Sequence, residues 1–193
     1  MPKLKRAYYL HEDVVWVAKD LLGKGLYTRI NGKITGGIIT ETEAYAGVTD
    51  KASHAFGGRR TARNEIMYAG GGAAYIYLCY GIHHLFNVVT NRQDVPHAVL
   101  VRAIKPVTGI DTILKRRKQK ALAKNTSGGP GTVSQALGIH TGFNGTSLAG
   151  KTIWLQDEGI KADQKKIVSG PRIGVDYAGE DAKLPYRFIL EDL

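Results

Sequence analysis

The chain has 193 residues, with 27 Lys or Arg against 17 Asp or Glu and a formal charge of +10. With 43% hydrophobic and 23% charged residues it can bury a core, so wholesale disorder is excluded and one domain over residues 1–193 is expected. A single Cys excludes an internal disulfide and a Cys-based zinc cluster, and no apolar run approaches the ~20 residues of a membrane helix. The N-terminal Met-Pro-Lys-Leu-Lys-Arg lacks the apolar centre of a secretory signal, so a cytoplasmic protein is expected.

Apolar residues recur at helical spacing from Val14 to Leu22 and stop at Gly23, which predicts a helix over 12–22. A strand over 26–30, an Asn31-Gly32 hairpin turn and a strand over 33–44, interrupted at Gly36-Gly37, follow. From 45 to 69 no period holds, which predicts a long loop with one helical turn near 62–67; loops of this length in compact domains are usually functional. Residues 73–79 and 83–90 read as two strands joined at Tyr80-Gly81, and 97–104 as a third strand ended by Pro106. A helix is expected over 111–123 from its acidic start and basic end, a Gly-rich loop over 125–131 and a short helix over 133–137. Strands over 152–155 and 187–190 complete an α+β single domain: a mostly antiparallel curved β-sheet with surrounding helices and a protruding β-hairpin.

The positive charge points to a polyanionic partner, because cations set against phosphates release condensed counterions. Arg59, Arg60 and Arg63 cluster in a Gly-rich stretch, whereas Lys115, Arg116, Arg117, Lys118 and Lys120 go right round a helix and read as a solvated surface. Glu41 and Glu43 share one strand face about 6 to 7 Å apart, with Tyr45 next on that face. Carboxylates beside a Gly-rich loop are suited to activating a water; the alternative is that both mark where the strand meets solvent. Tyr75 and Tyr77 fit core packing on a strand. Tyr80, beside Gly81 at a hairpin tip, is poorly placed to bury itself and is suited to pushing into a base stack, although exposed tip tyrosines also occur without a role.

Taken in order, Glu43-Ala44-Tyr45, Ala52-Ser53-His54, Gly57-Gly58-Arg59, Thr61-Ala62-Arg63-Asn64, Tyr75-Ile76-Tyr77 and Tyr80-Gly81 resemble the 3-methyladenine (alkylpurine) DNA glycosylases of the mammalian alkyladenine glycosylase type. Asn87, Val101-Arg102-Ala103, Gly129-Pro130, Gln135-Ala136-Leu137 and Arg172-Ile173-Gly174-Val175 extend the likeness over roughly residues 38–190. The resemblance implies a monofunctional enzyme that flips a damaged purine out of double-stranded DNA and hydrolyses its N-glycosidic bond, leaving an abasic site. It implies Glu43 as general base and Arg102 beside the attacking water. It implies Tyr45, His54, Tyr77 and Asn87 around the extruded base, and Tyr80 as the intercalating residue. Arg59 and Arg63 are expected to neutralise the DNA backbone or brace their loop. No metal, organic cofactor or membrane is implied, and a monomer is the expected state. Ile82, His83, Thr132 and Tyr177 depart from the mammalian pattern, and the sequence leaves open whether hypoxanthine or etheno adducts are taken alongside 3-methyladenine and 7-methylguanine. Two rivals remain: a non-catalytic nucleic-acid-binding module, which needs Tyr80 but not Glu43, and a metal-dependent nuclease built on Glu41 and Glu43, which lacks a third carboxylate at a suitable spacing.

Overall fold

The computed structural model describes residues 1–160 and 162–191. Helices α1 (Arg6–Tyr9) and α2 (Val14–Asp20) lead into strands β1 (Gly25–Ile30) and β2 (Lys33–Tyr45). Strands β3 (Ala74–Cys79), β4 (His83–Thr90) and β5 (His97–Thr108) follow, then helices α3 (Ile110–Arg117) and α4 (Pro130–Leu137). Strands β6 (Ile153–Gln156), β7 (Ile167–Gly170) and β8 (Arg187–Leu190) end the chain. Together they form one eight-stranded sheet in the order β3-β4-β5-β2-β1-β6, with β8 joining β2 beyond the end of β1 and β7 pairing with β8. Every named pairing is antiparallel. The α+β architecture and the β3–β4 hairpin are therefore those expected.

The period of two divides the sheet's residues between two environments. Ala44, Ile76, Phe86, Val88, Val99 and Val101 join the apolar side chains of α2 and α4 in the main core, where Thr42 donates to the Ala18 carbonyl. Their neighbours Tyr45, Tyr75, Tyr77, Leu85, Asn87, Ala98 and Leu100 line a cavity on the opposite face. The segment 46–73 covers part of that face with short 3-10 turns at Gly47–Thr49, Phe56–Gly58 and Glu65–Tyr68.

Several expectations need correction. The helix of 12–22 is shorter, because Asp13 caps it by accepting from the Val15 and Trp16 N–H groups and Gly23 turns the chain at φ +83°. The helix of 111–123 stops at Arg117: Lys118 turns left-handed, and its N–H and that of Gln119 return to the Lys115 and Leu114 carbonyls. Leu122, the apolar residue that would have extended it, is half-exposed and gives no reason to continue. Strand β5 runs through Pro106 to Thr108; β4 pairs it only as far as Leu100, and the register slips opposite the proline, so its missing N–H is tolerated. Strand β7 and helix α1 went unforeseen, since each is a short element with few buried side chains.

Gly36 does not interrupt β2. It faces the Tyr27 ring, where a Cβ would stand 2.1 Å from Cδ1, and that ring is held by stacking on Trp154 and by donating to Glu158. Gly36→Ala is therefore expected to lower stability by about 1–3 kcal/mol, measured by denaturant unfolding; an unchanged midpoint would show that the ring yields freely.

Candidate active site

The cavity measures about 560 Å³ and opens between the β3–β4 hairpin, the segments 52–54 and 173–177, and the start of α4. Of the residues anticipated for a site, Tyr45, His54, Arg63, Tyr77, Tyr80, Asn87 and Arg102 line it together. Their strands explain the convergence: Tyr75 pairs with Asn87, Asn87 with Leu100 and Leu100 with Glu43, so one row across four strands faces the same space.

Glu43 lies beneath this lining with no exposed surface. Its Oε1 accepts from the Ile173 N–H at 2.8 Å and stands 3.3 Å from Arg102 Nη1, while Oε2 accepts from the Tyr45 hydroxyl at 2.9 Å. Each carboxylate oxygen can accept more than one hydrogen bond, so acceptor capacity for a water remains. Glu41 is not a strand-end carboxylate left in solvent: its Oε1 accepts from Arg102 Nε at 2.8 Å and from Arg187 Nε at 2.6 Å. Arginines on both acids leave no open carboxylate pair for a cation, and no group of three or more His, Cys, Asp or Glu is arranged to hold a metal among the described residues. That counts against the nuclease rival.

The register explains how Arg102 reaches both acids. Ile39 pairs with Ile104 and Thr42 with Val101, but Glu41 pairs with Ala103, so Thr40 and Arg102 are each left without a partner. Such an irregularity re-aims a side chain, and it falls where β2 exchanges β1 for β8 as its neighbour.

The aromatic walls are tied down. The Tyr45 hydroxyl is pushed well above its ordinary pKa, first by burial and then by the charge of Glu43, so it stays a donor. His54 meets the Tyr77 ring edge-on at 4.7 Å, and its Nδ1 lies 2.8 Å from the Tyr75 hydroxyl. Burial, and then Arg63 and Arg59, lower the His54 pKa from 6.5 to about 4. Asn87 is fixed by donating to the Tyr75 and Leu85 carbonyls.

Tyr80 is 88% exposed at the hairpin tip with φ +51°, and Ile82 beside it is 72% exposed. Tyr177, itself largely exposed, also lines the cavity and donates to the Ala52 carbonyl. Thr132 caps α4 through Gly129, and His83 packs against Gly131. Arg63 lies over the Tyr77 ring at 5.4 Å. Arg59 stays outside the lining, and its carbonyl, accepting from Asn64 and Tyr68, braces the loop.

Sequence reasoning missed the role of Arg172 and Asp50. Both side chains are almost wholly buried; the guanidinium donates to both Asp50 oxygens, at 2.5 and 2.8 Å, and to the Ala44 and Asp181 carbonyls. It also stacks on the Tyr45 ring at 4.8 Å. This pair fixes the segment whose next N–H, that of Ile173, holds Glu43. No spacing rule marks a buried Arg; its place in the Arg172-Ile173-Gly174-Val175 match and in the Gly- and Pro-bounded run 170–174 drew attention to the segment without giving the residue a role.

The family described as methylpurine-DNA glycosylase matches residues 8–193. A Chlamydia felis protein named "Putative 3-methyladenine DNA glycosylase" is 49% identical over 188 residues, 97% of this chain and 95% of its own length. Proteins of the same name from Clostridium perfringens and Bacillus cereus are 42% and 45% identical, covering 98% and 93% of this chain and 96% and 91% of theirs.

The lowered pKa of His54 gives a signed expectation. Between pH 6.5 and about 4 the unfolded chain binds a proton that the folded one refuses, so stability must fall as pH falls through that window. His54→Gln should flatten the pH dependence of the melting temperature there; an identical slope in the variant would contradict the buried neutral imidazole.

Proposed function

We propose, because this chain belongs to the methylpurine-DNA glycosylase family, that it excises alkylated purines from double-stranded DNA by water attack at C1′. The DNA glycosylase assignment follows from the family; the substrates, the single-step hydrolysis and the likeness to the mammalian alkyladenine type are our reading. The observation that carries it is Glu43, a carboxylate wholly withdrawn from solvent, set behind a cavity walled by Tyr45, His54 and Tyr77 and flanked by an exposed Tyr80.

The damaged nucleotide leaves the stack at a cost of a few kcal/mol. Tyr80 fills the space vacated and slows its return. In the cavity the purine lies against Tyr45 and Tyr77, whose π-faces favour a cationic alkylated base. Asn87, held by two carbonyls, excludes ordinary guanine by collision with its exocyclic amine. Glu43 takes a proton from a water, the water oxygen bonds to C1′, and the C1′–N bond breaks with its electron pair leaving on the purine. A base already alkylated to a cation departs neutral and needs no proton donor, which suits a His54 that stays neutral. The carboxylate charge also stabilises oxocarbenium character at C1′. No metal or cofactor enters this sequence, and an abasic site is left. Surface cations, Arg63 among them, neutralise phosphates, and the chain acts as a monomer in the cytoplasm; no helix is long and apolar enough to cross a membrane among the described residues.

Glu43→Gln should lower single-turnover base release from a 7-methylguanine or 3-methyladenine duplex by at least about a hundredfold while lesion binding persists. Wild-type release by that variant would refute Glu43 as the base, and absence of release by the unsubstituted protein would leave only the non-catalytic binding module. Tyr80→Ala should weaken retention of the flipped base and leave the bond-breaking step far less affected. Equal duplex affinity and an equal flipping equilibrium, read by fluorescence of a reporter base, would remove the wedge role.

A further inference from the structure

Four charged side chains form the floor of the site, and the assignment of Glu43 as base uses only half of them. Arg187 is paired in register with Glu43 on the adjoining strand, yet its Nε goes to Glu41 Oε1 at 2.6 Å. Arg102 likewise gives its Nε to Glu41 at 2.8 Å and reaches Glu43 only through Nη1, at 3.3 Å. Both guanidiniums therefore hold Glu41 through Nε, and Arg102 meets Glu43 only at the longer distance, although Arg187 is paired in register with Glu43. The strands make this possible: Glu41 and Glu43 share a face of β2, and Arg102 sits unpartnered where the β2–β5 register slips at Glu41.

We infer that Glu41 is a positioning residue which diverts Arg102 and Arg187 from Glu43 and so keeps one carboxylate edge open for the attacking water. The inference rests on Glu43 being the base. An arginine facing a single buried carboxylate tends to the two-pronged arrangement that occupies both oxygens. Such a clamp on Glu43 would displace the Tyr45 hydroxyl from Oε2 and take the lone pairs that a water needs. With Glu41 engaging Nε, the Nε edge of Arg102 is unavailable to Glu43, and a single longer contact remains. The remaining neighbours of Glu43 do not compete for the same edge: Arg172 is committed to Asp50, and Tyr77 is a neutral phenol held protonated by burial.

The test is a double-variant cycle read by single-turnover base release and by lesion-duplex affinity, with melting temperature as the folding control. Glu41→Gln should slow release at least tenfold and change affinity less than twofold. In a background carrying both Arg102→Lys and Arg187→Lys, where neither side chain can form a two-pronged clamp, the further effect of Glu41→Gln should shrink to less than twofold. A purely structural Glu41 would instead cost the same factor in both backgrounds, or lower affinity and release together; either result overturns the inference, as does an unimpaired Glu41→Gln. If Glu41→Gln does not fold, Glu41→Asp keeps the charge but shortens the reach, and should give a smaller loss that also vanishes when Arg102→Lys and Arg187→Lys are combined. Glu43→Gln run in parallel separates the two claims: wild-type release by that variant defeats the base assignment itself, whereas an inactive Glu43→Gln beside an unimpaired Glu41→Gln defeats only the positioning role.

Discussion

A carboxylate with no exposed surface needs donors in place of water, and the architecture around Glu43 supplies them. Removing an ion from water costs several kcal/mol even after relaxation, and only close donors and counter-charges offset it. The donors to Glu43 and the counter-charge of its neighbour Glu41 come from four separate elements. Tyr45 is on β2, Arg102 enters from β5 through a local slip in register, Arg187 balances Glu41 from β8, and Ile173 offers its backbone N–H from a loop. That loop is itself anchored by Arg172 on Asp50, so a second buried ion pair supports the first. The two acids and two arginines of the floor sum to zero charge, which is the condition under which so many ions can be buried together.

The opposite physics governs the mouth. Tyr80 and Ile82 carry large apolar surface into solvent at a tip held by left-handed residues, and the hairpin beneath them is a two-stranded extension of the sheet. Exposed apolar side chains at such a point gain by being covered, and a nucleic-acid stack can cover them. The chain's excess of ten positive charges supplies attraction that is independent of sequence. A rigid ionic floor and a projecting apolar tip thus sit at the two ends of one cavity, joined by strands β3 and β4, whose inner faces carry Tyr75, Tyr77, Leu85 and Asn87.

Much of this could be read from the amino-acid order. The hairpin at Asn31-Gly32, the strands either side of Tyr80-Gly81 and the α+β class follow from period and turn chemistry, which act locally. Seven of the nine residues singled out for the site line the cavity, Glu43 lies just beneath the lining, and Arg59 stands apart. What escaped depends on distant partners. Gly36 looked like a strand breaker until the Tyr27 ring across the hairpin explained it, and Pro106 looked like a strand end until β5 proved to be paired on one side only. The Arg172–Asp50 pair joins residues 122 positions apart, and no pattern along the chain signals that a charge will be buried. The order of acids and arginines on the floor depends on a single slip of register, which composition cannot reveal.

The account stands on the placement of one carboxylate relative to the sugar of an extruded purine. The most direct measurement is a crystal structure of the Glu43→Gln protein bound to a duplex carrying a non-hydrolysable alkylpurine analogue. The account predicts the base against Tyr45 and Tyr77, with a water bridging the residue-43 side chain and C1′ at hydrogen-bonding distance, about 3 Å from the side chain. A base seated elsewhere, or a C1′ separated from residue 43 by intervening protein, would contradict it.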